Sequence, residues 1–109
     1  MDTFAAELNA FVEHLKEMFR KNYEKPDQLT LEPGISWCRI VRIREGNAGK
    51  SVYAFVAMKD SSNRNLGMVK AGDIHMPASW AAPAKHARGS IFNKESWVCA
   101  GPHGIAYLK

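Results

Sequence analysis

Residues 35–58, ISWCRIVRIREGNAGKSVYAFVAM, hold two stretches with the composition of β-strands on either side of a glycine-containing turn. Residues 35–44 and 51–58 are rich in isoleucine, valine and aromatic residues, which strands favour. The turn signal at 46–49 is short, so the two strands are predicted to pair as an antiparallel hairpin. The rest of the predicted fold is arranged around this hairpin.

Alternation along the hairpin predicts which side chains point to the same face. In the first strand the residues predicted to be buried are Ile35, Trp37, Val41 and Ile43. Arg42 and Arg44 then point from the opposite face, together with Ile40 and Cys38. Arg39 breaks the alternation, which indicates a bulge or an edge strand. In the second strand Tyr53 and Phe55 share a face. Beside the arginines these two rings would form either a platform for stacked bases or the underside of a helix.

Residues 3–22 show the periodicity of an amphipathic helix. The apolar stripe steps by three and four residues and consists of Phe4, Leu8, Phe11, Val12, Leu15, Met18 and Phe19. Such a stripe predicts a helix that packs on the sheet. The other use of the same stripe is a homodimer formed through residues 4–19.

The remaining segments complete a single domain over residues 1–109. A connector is predicted at 27–34, a polar loop at 59–66, two short strand pieces within 67–76, an irregular basic arm at 77–92 and final strands at 97–108. The antiparallel strands therefore run from 35 to 76 and resume at 97. The predicted fold class is α+β, with one N-terminal helix packed on an antiparallel sheet of four or five strands.

The arm lies within the stretch that has the most unusual composition in the chain. Residues 72–92, GDIHMPASWAAPAKHARGSIF, carry two prolines, Trp80 and a short basic run. Pro83 suits the first turn of a helix and Gly89 suits its end, so a helix of one or two turns is predicted between them. Lys85 and Arg88 would then share a face and could hold a phosphate.

Charge is concentrated in the same region. Residues 61–94 carry five basic residues and one acidic residue, a net charge of +4, which equals the net charge of the whole chain. Such local asymmetry favours an anionic partner. The predicted binding residues are Trp80, Lys85, His86, Arg88, Lys70, Arg42 and Arg44. The predicted partner is nucleic acid, most favourably single-stranded, and the alternative is a host protein that the same arm would inhibit.

Patterns typical of other functions are missing from the sequence. The four histidines and two cysteines lack zinc-ligand spacing, the carboxylates are scattered, and there is no phosphate-binding loop or nucleophile elbow. We therefore predict no catalytic residue, no metal and no cofactor. No apolar run approaches the length of about 20 residues that a membrane helix needs. Cys38 and Cys99 are predicted to be reduced, packed thiols.

Four segments resemble a pattern in small open reading frames of tailed bacteriophages. They are SVYAFV at 51–56, GDI at 72–74, PASW at 77–80 and PAKHARG at 83–89. The resemblance extends over residues 35–108, and its distinctive part is the PASW and PAKHARG pair. It implies a viral accessory protein that acts in the cytoplasm of a bacterial host, and it assigns no catalytic residue.

Overall fold

The computed structural model describes residues 3–24, 26–44, 49–64, 66–101 and 104–105. The elements in chain order are α1 (Thr3–Asn22), β1 (Gln28–Pro33), β2 (Trp37–Ile43), β3 (Lys50–Ala57), β4 (Ser61–Asn63), β5 (Gly67–Val69), β6 (Asp73–Pro77), β7 (Pro83–Ser90), a 3₁₀ helix (Lys94–Cys99), β8 (Ala100–Gly101) and β9 (Gly104–Ile105). Residues 46–48 of the predicted turn, and residues 102–103 and 106–108 of the predicted final strands, lie outside the described residues.

Helix α1 packs its apolar stripe on the sheet, as the periodicity predicts. Its buried residues are Leu8, Phe11, Val12, Leu15 and Phe19, and Phe4 and Met18 lie at the margin of the same core. Phe11 meets the Trp97 ring edge to face at 5.3 Å, and Phe19 meets Tyr53 at 5.8 Å. A homodimer through residues 4–19 stays a prediction, but the apolar residues that it would use are already covered within one chain.

The main sheet is antiparallel and has five strands in the order β1-β2-β3-β6-β7. With α1 on one face, this confirms the predicted α+β class. The connector predicted at 27–34 is wrong, because β1 pairs with β2 over six consecutive residues from Gln28 to Pro33. Leu29 and Leu31 alternate with polar residues and join the core on the helix side, which is the behaviour of a strand rather than of a loop.

A bulge decides which residues of the central hairpin meet the helix. The register between β2 and β3 shifts after Ile40, which pairs with Ala54, while Val41 pairs with Val52, so Tyr53 is the extra residue. Tyr53 and Ala54 consequently both reach the helix-side core, although they are consecutive. β2 lies inside the sheet, so it is not an edge strand, and the extra residue of the bulge lies on β3. Arg39 itself pairs regularly with Phe55 and keeps the alternation of β2, so the break predicted at Arg39 is absent.

Burial of Ile35 was predicted wrongly. Ile35 lies in the turn before β2, and its side chain is 87% exposed. Residues 59–66 also differ from the predicted polar loop, because Ser61–Asn63 pairs with Gly67–Val69 as a separate two-stranded hairpin. The two strand pieces predicted within 67–76 are both present, as β5 and β6, but they belong to different sheets.

The arm at 77–92 is irregular only around its middle. The helix predicted between Pro83 and Gly89 is wrong, because Pro83–Ser90 forms the outer strand β7 and pairs with β6. The strand predicted around Trp97 is also wrong, since Lys94–Cys99 is a 3₁₀ helix that buries Trp97 against α1. The Asn93 side chain accepts a hydrogen bond from the Glu95 N–H and caps this helix.

Candidate binding surface

The β6–β7 hairpin, residues 73–90, carries the predicted arm. Its tip spans residues 78–82 and is closed by two hydrogen bonds, in which the N–H groups of Ala78 and Ser79 donate to the Ala82 carbonyl at 2.9 and 3.1 Å. Pro77 and Pro83 face each other at the base of the tip. Both prolines lack an N–H, so regular strand pairing ends there and the chain turns.

Trp80 lies at the tip and is held by Arg39 of β2. The Arg39 guanidinium carbon lies 4.9 Å from the centroid of the Trp80 ring, and its Nη1 donates to the Trp80 carbonyl oxygen at 3.1 Å. Its Nη2 is 3.2 Å from Oε1 of Glu32, the cross-strand partner of Arg39 on β1. Trp80 nevertheless remains 45% exposed. One arginine thus fixes both the backbone and the ring of an indole that stays accessible to solvent.

A small aromatic cluster lies in the same row of the sheet as Arg39. Arg39 pairs with Phe55 of β3, and Phe55 pairs with His75 of β6. The Trp37 ring lies edge to face with both, at 6.2 Å from Phe55 and 4.9 Å from His75. Phe55 and His75 are buried but stand outside the core cluster beneath α1. The sheet face opposite the helix therefore has a packed layer of its own.

His75 ties this layer to β7. Its side chain is 2% exposed, and Nδ1 lies 2.7 Å from the Ala84 carbonyl oxygen. A carbonyl oxygen only accepts, so Nδ1 carries the proton in this contact. Nε2 is buried and has no hydrogen-bond partner among the described residues. The ring thus joins β6 to β7 through a side chain as well as through the backbone.

The basic residues of β7 do not form the predicted phosphate clamp. Lys85 and His86 are exposed, whereas Arg88 is partly buried. Burial raises the pKa of the Cys99 thiol, and the charge of Arg88 offsets only part of that rise. The register shifts on both sides of the pair between His75 and Ala87. Lys85 and Arg88 belong to a bulged strand and not to one helical turn, so the helical geometry that would have brought them onto one face is absent.

The other predicted cations are dispersed. Arg42 lies below the end of α1, where Nε donates to Asp27 Oδ2 at 2.7 Å and the guanidinium carbon lies 4.5 Å from the Phe19 ring centroid. Burial acts to lower the pKa of Arg42, but hydrogen bonds and charge interactions with Tyr23 and Asp27 outweigh it and raise that pKa. Arg44 and Lys70 are exposed, at the ends of β2 and β5 respectively.

The base-stacking platform, one of the two alternatives for Tyr53 and Phe55, is wrong. Both rings are buried, and the bulge sends them to opposite faces of the sheet. The Tyr53 hydroxyl donates to the Gly101 carbonyl oxygen at 2.7 Å. Burial of this hydroxyl is the largest cause that raises the pKa of Tyr53. The alternative, the underside of a helix, holds for Tyr53 alone.

Sequence reasoning missed Arg39, Trp37 and His75 as members of this surface. Arg39 gave one signal, the break in alternation, because a charged residue inside a central strand needs a partner. Trp37 was predicted to be buried with the main core, and it instead packs on the opposite face. Nothing in the spacing of His75 relative to Trp37 indicates that their rings meet.

Within the described ranges no group of three or more histidine, cysteine or acidic side chains is placed to hold a metal ion. Cys38 and Cys99 are free thiols, and burial is the main cause that raises the pKa of each. No helix among the described residues is long and apolar enough to cross a membrane.

Fold and surface together define a small α+β domain in which a helix-backed antiparallel sheet carries a basic hairpin with an exposed tryptophan at its tip. Residues 2–100 match the model of a protein family described as a family of unknown function, DUF7717, and the chain belongs to that family. No curated protein and no solved structure matches the chain.

Proposed function

We propose that the protein binds single-stranded nucleic acid through the β6–β7 hairpin. The observation that carries this proposal is the exposed indole of Trp80 at the tip of a hairpin whose outer strand presents Lys85 and His86 to solvent. No acidic residue occurs between Asp73 and Glu95. A phosphate backbone along this hairpin would therefore meet cations and no carboxylate from residues 74–94.

Stacking on Trp80 favours a single strand over a duplex. A base can stack on an indole only when its own face is open, and such a stack is worth about 1–3 kcal/mol. The guanidinium of Arg39 covers part of the indole, so we expect one base, rather than two, to stack on this ring. Because the guanidinium of Arg39 already restrains the ring, little side-chain entropy would be lost when the base binds.

Lys85 and His86 are the side chains that we expect near the phosphates, with Lys70 and Arg44 as more distant exposed cations. Arg42 contributes less, because it is already paired with Asp27 at 2.7 Å. Each phosphate that a lysine neutralises in a single strand changes the slope of log K against log salt by about 0.7. A small number of contacts predicts weak, salt-sensitive binding without sequence specificity.

The test is fluorescence anisotropy with a labelled oligothymidine and with a duplex at several salt concentrations. Trp80→Ala should weaken single-strand binding by roughly tenfold or more and duplex binding much less. Lys85→Ala should reduce the salt slope by about 0.7. Lys21→Ala, an exposed cation on α1, is the matched control and should change neither.

Wild-type protein that binds neither oligonucleotide at about 50 mM salt would overturn the nucleic-acid proposal. The alternative is then a protein partner bound through the same hairpin, with Trp80 as the anchor. For either partner, a viral accessory role in a bacterial host stays part of the proposal and rests on the resemblance of residues 35–108 alone.

A further inference from the structure

The sheet has two outer strands, and they differ in how well they could accept another strand. β7 carries Pro83 and Lys85 and shifts register twice against β6. Prolines, lysines and bulges are the features that protect a sheet edge from further pairing. β1 pairs with β2 through six consecutive residues without a shift and, among the described residues, has a neighbouring strand on one side only. β1 is therefore the more regular edge, and its one proline, Pro33, is its last residue.

Two cavities lie between helix α1 and β1, one toward each end of the strand, and together they are called the α1–β1 groove. One cavity, of 220 Å³, is apolar and is lined by Phe4, Leu8, Leu31 and Pro33 among others. The second cavity, of 320 Å³, lies next to Gln28 and Leu29 and is lined from the helix by Lys16 and Arg20. Since Leu29 and Leu31 are two residues apart on one strand, both cavities open on the same face of β1.

The second cavity is basic. Lys16 and Arg20 pair with Glu13 and Glu17 on their own helix at 3.3 and 2.8 Å, and all four side chains are exposed. Exposed pairs of this kind contribute little and exchange partners readily. The acidic residue that lines the cavity itself, Asp27, is held by Arg42 at 2.7 Å. A carboxylate entering the cavity would thus meet two cations, while the one acidic lining residue is already neutralised.

We propose that the α1–β1 groove binds an extended segment of a partner protein, which adds to β1 as a sixth strand. Its backbone pairs with the outer edge of β1, an apolar side chain enters the first cavity, and an aspartate or glutamate side chain enters the second. Alternate residues of a strand point to one face, so the two side chains stand two or four residues apart. In an antiparallel arrangement the apolar residue precedes the acidic one.

The test begins with selection from a displayed library of random dodecapeptides on the full-length protein. We expect enrichment of peptides with an apolar residue followed, two or four positions later, by an acidic one. The most enriched peptide is then synthesised with a fluorescent label, together with a version in which lysine replaces the acidic residue and a version with proline between the two anchors. The proline should weaken binding by about tenfold or more through lost backbone pairing. The lysine should weaken it by about threefold or more, because it replaces an exposed charge attraction by repulsion.

Protein variants locate the site. Asn9→Trp fills the apolar cavity from the exposed side of α1, and Ala6→Trp is the matched control on the same helix outside the cavity lining. Lys16→Glu with Arg20→Glu reverses the charge of the second cavity. Peptide binding should fall by about tenfold or more in Asn9→Trp and in the Lys16→Glu, Arg20→Glu protein. It should stay unchanged in the control Ala6→Trp. Hydrogen exchange should slow in residues 28–33 when the peptide is bound, and not in residues 83–90.

Three results would overturn the proposal. In the first, the selection enriches no peptide. In the second, the enriched peptides bind Asn9→Trp and the charge-reversed protein as tightly as the wild type. In the third, bound peptide slows hydrogen exchange in β7 instead of β1. Peptides that bind at the β6–β7 hairpin would point to the protein-partner alternative for that hairpin. Because the two surfaces share no residue, failure of one proposal leaves the other standing.

Discussion

Replacing Gly72 by alanine tests the packing that anchors the β6–β7 hairpin. Gly72 has a φ of +90° and lies directly before β6. Its N–H donates to the Ala57 carbonyl oxygen at 2.7 Å, and its own carbonyl accepts from the Ile91 N–H at 2.9 Å. The residue is therefore held on both sides in a conformation that glycine adopts readily and alanine does not.

Two costs add in this variant. A left-handed backbone costs an L-residue about 1–2 kcal/mol. The new Cβ would also lie 2.6 Å from two ring carbons of Phe92 and 3.1 Å from Cγ1 of Ile91. Overpacking typically costs about 1–3 kcal/mol, and the lower half of that range applies because Phe92 is half exposed and its ring can turn. We expect a loss of about 2–4 kcal/mol, or a melting temperature lower by about 8–16 °C.

Two other glycines separate these costs. Gly67 has a φ of +76°, and among the described residues no heavy atom lies within 4 Å of the place that an added Cβ would take. Gly67→Ala should therefore show the backbone cost of about 1–2 kcal/mol alone. Gly89 has no positive φ, but a Cβ there would lie 2.8 Å from Ser96 Oγ, which accepts from the Ser90 N–H at 2.9 Å. Gly89→Ala should therefore show the packing cost alone.

The assay is equilibrium unfolding in urea, followed by tryptophan fluorescence, for the three variants and the wild type. Adding Phe92→Ala to Gly72→Ala should recover the part of the loss that comes from the ring, which a double-mutant cycle isolates. If Gly72→Ala is no less stable than Gly67→Ala, the contact with Phe92 adds nothing. If Gly72→Ala is as stable as the wild type, the argument from φ is wrong as well.

Two further predictions concern the core. Leu8→Asp and Leu15→Asp each bury an unpaired carboxylate under the sheet, so each should remove most of the stability of about 5–15 kcal/mol that is typical of a domain. The control Ala6→Asp, on the exposed side of α1, should not. A thermal melt in which the two buried variants keep the wild-type melting temperature would contradict the packing. Cys38, Cys99 and Tyr53 all have raised pKa values, chiefly through burial. These groups therefore contribute their full stabilisation only when the pH is below their pKa values in the unfolded chain, of which the lowest is about 8.5, for cysteine. The stabilisation is lost as the pH rises through their pKa values in the folded protein. The free energy of unfolding should fall between about pH 8.5 and 11, and it should fall less steeply in a Cys38→Ala, Cys99→Ala double variant. A free energy of unfolding that does not change over this pH range would show that these groups stay hydrated.

The candidate surface was only partly predictable. Trp80, Lys85 and His86 are exposed on one hairpin, as the composition of the arm suggested. Their neighbour Arg39 lies 41 positions before Trp80 in the chain. It reaches the hairpin because the tip folds toward β2 across the sheet. A contact between residues so far apart in the chain cannot be predicted from the spacing of residue types.

Local patterns alone determined α1, the β2–β3 hairpin and the α+β class. The apolar residues of the helix recur every three to four positions, and those of the strands recur every second position. In each case the spacing of apolar residues along the chain is enough to predict which face is buried. The wrong predictions fall where the local preference was weak or was overruled. Residues 83–89, PAKHARG, contain good helix formers, yet β6 offers their backbone a partner strand and His75 bonds to the Ala84 carbonyl.

Tertiary structure also decided which face each central residue occupies. One extra residue, Tyr53, reverses the alternation of β3, so Tyr53 packs under the helix while Phe55 joins Trp37 and His75 on the other side. A bulge inserts one residue and changes the direction of every side chain beyond it. The choice between a bulged and a regular pairing depends on the total burial on both faces of the sheet, and that total exists only once the strands have come together.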